Sequence, residues 1–295
     1  MRVHKEESRP ATGIIAPMNN RLLDATQKLS SWMVPLAAIA ILAAFLSIAP
    51  PGILSKFDAI GYAVCHQLDE RSFHVDGHRL PLCARCSGMY LGAVLGIVYL
   101  TLTQPRSAGT PPKSVIALLA LFGLVFAVDG GNSYLYLMKQ TSAGRLDFIP
   151  NLYIPNNTLR LLTGTGMGLG LAVAVFLSFN QTIWRDWNDR PILGKWREVG
   201  ILIALAVGLV LLVLTEWEAV LYPAIFLSAG GVLLLLTMVY SMLWAMLMRQ
   251  ENTYLTLRAA WLPVLAGLTI ALLQITLIDL FRLWLTGTWG GFPLP

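Results

Sequence analysis

Apolar residues gather in seven runs along the chain, at 32–49, 86–103, 114–138, 157–179, 198–215, 219–248 and 260–285. At about 1.5 Å of rise per residue, each run is long enough to cross a hydrocarbon core of about 30 Å as a helix. Polar or proline-bearing stretches separate them. Pro50-Pro51-Gly52 stops the first run, and Gln104-Pro105-Arg106 opens the turn after the second. Glu216-Trp217-Glu218 makes a tight connection between the fifth and the sixth. The pattern predicts an all-α fold: a polytopic integral membrane helical bundle of about seven transmembrane helices, with a Cys/His-rich loop between spans 1 and 2.

Composition narrows the class further. Of the 295 residues 56% are hydrophobic and only 13% charged, against about 25% charged in soluble domains. The net charge of +5 is spread over short loops rather than gathered on one face, so nucleic acid is not an expected partner and the lipid bilayer is. The first apolar run is followed by others and reads as an anchor, not a cleaved signal. Three parts are expected: a polar, basic cytoplasmic tail at 1–31, a core membrane domain at 32–179 that includes the Cys/His loop, and a C-terminal three-helix membrane extension at 180–295.

Lys and Arg counts set the expected orientation. With the N-terminus inside, 13 of them fall on the cytoplasmic side and seven opposite. Positive charge favours the cytoplasm, which places the Cys/His loop outside. Gly88, Gly92 and Gly96 repeat every four residues in the second span, as do Gly164 with Gly168 and Gly166 with Gly170 in the fourth. Small residues at that spacing let helix backbones approach closely in lipid, so these two spans are expected to pack together.

Chemistry concentrates in residues 65–88, which hold all three cysteines and three of the four histidines. An odd cysteine count excludes a complete disulfide framework within one chain. Cys83 and Cys86 form a Cys-x-x-Cys pair at a predicted helix start, where unpartnered N–H groups favour thiolate over thiol. Thiolates bind metals, and Cys65, Cys83 and Cys86 with one histidine make a Cys3His set suited to zinc or another transition metal. His78 and His66 are the leading fourth ligands. Adjacency of His66 to Cys65 makes joint ligation awkward, and His74 is a third candidate. Thiolates also attack disulfides, so Cys83 and Cys86 could cycle instead, with Cys65 as exchange partner.

Polar residues inside the spans should meet this loop. Asp129, Asn132 and Ser133 share one helical face. Asp129 is expected to pair with Arg160, and Asp279 with Arg282, since acids within a span turn inward and find partners. Arg85, Asp129, Asn157 and Arg160 are thus expected to surround the metal or its substrate.

Several of these stretches resemble one family. Cys65-His66-Gln67, Arg71-Ser72-Phe73, Gly77-His78-x-x-Pro81-x-Cys83-Ala84-Arg85-Cys86-x-Gly88-x-Tyr90-x-Gly92, Asp129-Gly130 and Asn157-x-x-Arg160-x-x-Thr163-Gly164 are similar to the motifs of DUF2085, a family of uncharacterised prokaryotic membrane proteins. The resemblance covers about 58–175 and implies a membrane protein without implying a reaction. The expected function is an extracytoplasmic zinc site on a plasma-membrane protein. The alternatives are a membrane thiol–disulfide oxidoreductase, or a carrier or assembly factor without chemistry of its own.

Overall fold

The computed structural model describes residues 20–141, 145–146 and 148–290, with side chains from Thr26 onward. Residues 1–19 of the expected tail lie outside the described residues. The described residues form eight α-helices: α1 (Asn20–Ile48), α2 (Ile53–Val64), α3 (Ala84–Thr103), α4 (Lys113–Thr141), α5 (Asn157–Ile183), α6 (Trp196–Leu214), α7 (Glu218–Leu247) and α8 (Trp261–Thr286). All but α2 are long and apolar enough to cross a membrane, which makes seven candidate spans among the described residues. The protein is an all-α, polytopic membrane bundle.

Two elements differ from the sequence expectation. α1 starts at Asn20, twelve residues before the apolar run does. Its first turns are polar, so hydropathy stops short of where the backbone does. Gln27 Nε2 donates to Met248 O at 3.2 Å, tying this polar end to the end of α7. The second difference is α2, which lies inside the expected loop. At 12 residues it is about 18 Å long and too short to span. It buries Ala59, Ile60, Gly61 and Tyr62, and the left-handed Gly52, at φ 103°, turns the chain into it.

α3 is the central helix. It packs along α5 and also on α7; α7 carries α8, α8 carries α1, and α4 lies on α5. α3 and α5 run parallel, and their glycines set the distance. Gly88 faces the carbonyl of Leu161, Gly164 that of Arg85, and Gly168 that of Met89. A Cβ on Gly92 would stand only 2.6 Å from Thr165 O. Side chains there would force the helices apart, so the expected pairing of the second and fourth spans holds for the expected reason.

Short strands finish the two ends. β1 (His74–Val75) and β2 (His78–Arg79) form a hairpin between α2 and α3. β3 (Ser107–Gly109) pairs in parallel with β4 (Asn188–Pro191) at the opposite end of the bundle. The hairpin end carries the cysteines.

Candidate functional site

Two helix ends bring the cysteines together. Cys65 ends α2, where the backbone turns extended at φ −134°, ψ 147°. Cys83 is the N-cap of α3, and Cys86 sits in that helix's first turn. The three sulfurs lie within 4.8 Å of one another, and none is in a disulfide. They form a group that could hold a metal ion. Two backbone N–H groups point at Cys65 Sγ: Gln67 N at 3.4 Å and Cys83 N at 3.3 Å. Cys83 accepts hydrogen bonds from the thiols of Cys65 and Cys86, which hold it well below the usual thiol value; Arg85 adds to this. Cys65 is pushed up to about 11, first by donating to Cys83 and then by burial. One thiolate shared among three thiols is what this geometry favours without a cation.

The loop between the helix ends is pinned by buried polar groups. Gln67 is 1% exposed and left-handed at φ 54°. Its Nε2 donates to Asp58 O at 2.9 Å and Pro81 O at 2.8 Å, and its Oε1 accepts from Arg79 Nη2 at 3.1 Å. These bonds hold Cys65 against the strand that leads to Cys83. Arg282, from α8, reaches the carbonyls at the end of α2. It donates to Tyr62 O, to Cys65 O at 2.5 Å and to His66 O at 3.2 Å, with its guanidinium 3.9 Å from the Tyr62 ring centroid. Arginine at a helix C-terminus satisfies carbonyls that have no partner within the helix.

The histidines fall differently from expectation. His78 Nε2 lies 3.1 Å from Asp58 Oδ2 and outside the sulfur group, so the structure does not bring the leading candidate ligand to the cysteines. Burial raises Asp58 above the usual carboxylate range, and His78 and Arg79 oppose that rise. His74 Nε2 lies 3.0 Å from Asp69 Oδ1 on the surface. His66 lines the cavity beside the cysteines.

Asp129 pairs with Arg85 rather than with Arg160. Its Oδ2 accepts from Arg85 Nε at 3.0 Å, Arg85 Nη2 at 2.6 Å and Thr163 Oγ1 at 3.1 Å, and its Oδ1 from Tyr153 OH at 2.6 Å. Arg85 Nη2 also donates to Ser133 Oγ at 2.8 Å. The close approach of α3 to α5 puts Arg85 on the face that Asp129 presents. Tyr153 is pushed up to about 12 by burial and by its bond to Asp129. Asn132 holds the loop that supplies Tyr153, accepting from Leu152 N at 2.9 Å and donating to Tyr153 O at 3.0 Å. Arg160 Nη1 instead donates to Asn157 Oδ1 at 2.8 Å. The second expected pair does not form either: Asp279 is buried with neither carboxylate oxygen accepting a hydrogen bond, while Arg282 turns to α2.

A cavity of about 220 Å³ opens beside the sulfurs. All three cysteines, His66, Arg71, Arg85 and Arg160 contribute to its wall. Gln67, Arg71, Arg79 and Tyr153 are the site residues to which the sequence assigned no role, and Arg282 was assigned a different partner. Arg282 carried a signal, an arginine within a span; the others are visible only as motif positions or not at all. A roomier cleft of about 320 Å³, between α4, α5 and α6, is lined almost wholly by apolar side chains and offers no reactive group.

Comparison with known proteins covers the stretch that carries most of these residues. Residues 65–174 match the family model DUF2085, described as a predicted membrane protein. The match begins at Cys65 and takes in Cys83, Arg85, Cys86, Asp129 and Arg160, but not Arg282. An uncharacterised protein of Methanocaldococcus jannaschii is 32% identical over 91 residues, 31% of this chain and 56% of that protein. A second uncharacterised protein, of Methanothermobacter thermautotrophicus, is 47% identical over 36 residues, 12% of this chain and 32% of its own. The chain thus spans about half the length of the first relative and a third of the second. No solved structure matches.

Proposed function

We propose that this DUF2085-matching membrane bundle holds a zinc ion on Cys65, Cys83 and Cys86, with the fourth coordination position open to the adjoining cavity. The supporting observation is the convergence of three sulfurs from two helix ends within 4.8 Å. Thiolates at about 2.3 Å from one zinc ion, in tetrahedral geometry, stand about 3.8 Å apart. A dithiol–disulfide couple needs two sulfurs; here a third lies within 4.8 Å of both. The two N–H groups aimed at Cys65 Sγ favour the charged sulfur that a ligand must become. A dication also removes the conflict among the thiols, because it displaces all their protons at once.

The chain's residues then have distinct tasks. Gln67, Arg79 and Arg282 fix the end of α2 and so the position of Cys65. Arg85, held by Asp129 and Ser133, stands beside the ligand position. His66 is the imidazole on the cavity wall, and His78 lies against Asp58. A zinc ion with an open position polarises an oxygen ligand or activates water. We place this site on the extracytoplasmic face, because the Lys and Arg count of 13 against seven keeps the opposite end inside.

Elemental analysis of the detergent-purified protein, paired with a thiol count, is the test. About one zinc per chain is expected for a single site, falling by most of that amount in Cys65→Ser, Cys83→Ser or Cys86→Ser. His78→Ala should keep its zinc. Metal-free protein with a Cys83–Cys86 disulfide would overturn the reading in favour of thiol–disulfide exchange. Labelling by a membrane-impermeant thiol reagent after metal removal tests the side: reaction only in permeabilised cells would place the site in the cytoplasm.

A further inference from the structure

The cavity is also a concentration of positive charge. Arg71, Arg85 and Arg160 line it together, and Asp129 is the carboxylate bonded to one of them. Three guanidiniums against Asp129 and one cysteine thiolate leave an excess of one positive charge. Glu70, next to Arg71 in sequence, is exposed to solvent and is not on the cavity wall. Arg160 is 6% exposed, and its Nε has no hydrogen-bond partner although it is buried. A buried guanidinium N–H left without an acceptor is costly unless a ligand supplies one. Arg71 has one weak bond, from Nη2 to Ser133 O at 3.4 Å; burial and the neighbouring Arg85 hold it below the usual arginine value. The parallel packing of α3 and α5 adds to this, because both helices start at the cavity. Each N-terminus carries about half a positive charge and unpartnered N–H groups, the arrangement that binds phosphate elsewhere.

We propose that this cavity takes a phosphoryl group, free or at the head of a lipid, held by Arg71, Arg85 and Arg160. Charge selects phosphate over carboxylate. A phosphate monoester carries about −1.5 to −2 at pH 7 and matches the excess of one taken together with about half a positive charge at each of the two helix N-termini, whereas a carboxylate leaves about one positive charge uncompensated. Geometry agrees, since planar guanidinium forks recognise phosphate oxygens in pairs. Val64, Leu68 and Leu137 are also on the wall and suit the apolar part of a ligand entering from the membrane boundary. The inference does not rest on the metal: the arginines converge whatever the cysteines hold.

The experiment uses the full chain in phosphatidylcholine nanodiscs. Inorganic phosphate is titrated by calorimetry beside acetate, and native mass spectrometry follows retention of phosphatidic acid from mixed discs. Saturable binding of phosphate is expected, at least tenfold tighter than acetate and at least tenfold weaker in Arg71→Gln, a half-buried residue whose bond within the protein is the weak one to Ser133 O. Arg160→Gln should weaken it as much, and Arg190→Gln, at the opposite end of the bundle, should change nothing. Retention of phosphatidic acid with no binding of inorganic phosphate would assign the lipid as source; the reverse would assign free phosphate. Cys83→Ser protein, stripped of any metal, should still bind. Acetate equal to phosphate, phosphate binding that needs Cys83, or neither ligand binding in an Arg71-dependent way would each overturn the inference. Wild-type protein that purifies without metal and still binds phosphate would sink only the zinc reading.

Discussion

Asp129→Asn tests whether the polar end of the bundle is held by the Arg85–Asp129 pair. Asp129 is 1% exposed, and the side chain of Arg85 is 17% exposed. Removing one partner of a buried pair costs about 3–5 kcal/mol, because the other charge is stranded. Two features place this case at the lower end. Arg85 keeps acceptors at Asp129 O and Ser133 Oγ, at 3.1 and 2.8 Å, and asparagine still offers one oxygen. Against that, the amide must turn a donor toward Tyr153 OH or toward the guanidinium, each a donor to Asp129. A loss of about 3 kcal/mol is expected. Reversible unfolding by SDS titration, followed by tryptophan fluorescence, reads it. Leu121→Ala, on an exposed stretch of the same helix, serves as control. A double-mutant cycle should show Asp129 coupled to Arg85 by more than about 1 kcal/mol and to Arg160 by less. Asp129→Asn no more harmful than Leu121→Ala, or stronger coupling to Arg160, would refute the reasoning.

Arg282→Leu should cost about 3 kcal/mol, since it leaves three carbonyls at the end of α2 without their donor, and should speed thiol labelling of Cys65; Arg282→Lys should recover only part, as an ammonium is not a fork. Gly88→Ala should destabilise by about 1–3 kcal/mol through its clash with Leu161 O, whereas Gly208→Ala, with open space around it, should be neutral or gain up to about 1 kcal/mol; equal effects would discount the close helix contact. For Asp58 the folded value is raised by burial, so its favourable contribution is present below about pH 4 and is lost as pH rises through the folded value. Asp58→Asn should therefore gain stability relative to wild type as pH rises over that window, and a constant difference from pH 4 to 8 would show that Asp58 does not titrate with folding.

The seven spans were legible because hydropathy and length decide membrane crossing almost alone; the ends of α3 through α8 agree with the sequence within a few residues. α2 was not, because a 12-residue helix with Lys56 and Asp58 on it has neither the length nor the apolarity of a span. The convergence of Cys65 with Cys83 and Cys86 was readable from their types and spacing. Which histidine would join them was not, since it depends on the hairpin that turns His78 toward Asp58. Pairing of the intramembrane charges failed for a related reason. Helical period placed Asp129 on an inward face, but the glycine contacts of α3 and α5 decide that Arg85 reaches it before Arg160 does. Spacing of three suggested Asp279 with Arg282, yet the end of α2 offers Arg282 several carbonyls at once.

The bond from Arg282 to Cys65 has a consequence in time. Its partners stand 217 positions apart, so a ribosome working at roughly 5–20 residues per second needs about 10–40 s between them. Throughout that interval the cysteine turn has been made while the cation that secures it has not been synthesised. The site therefore matures last, when the final helix enters the bundle. A pulse-chase with a thiol reagent would display this as a window of reactivity at Cys65 that closes on insertion of α8; protection gained before α8 emerges would show that the turn sets without it.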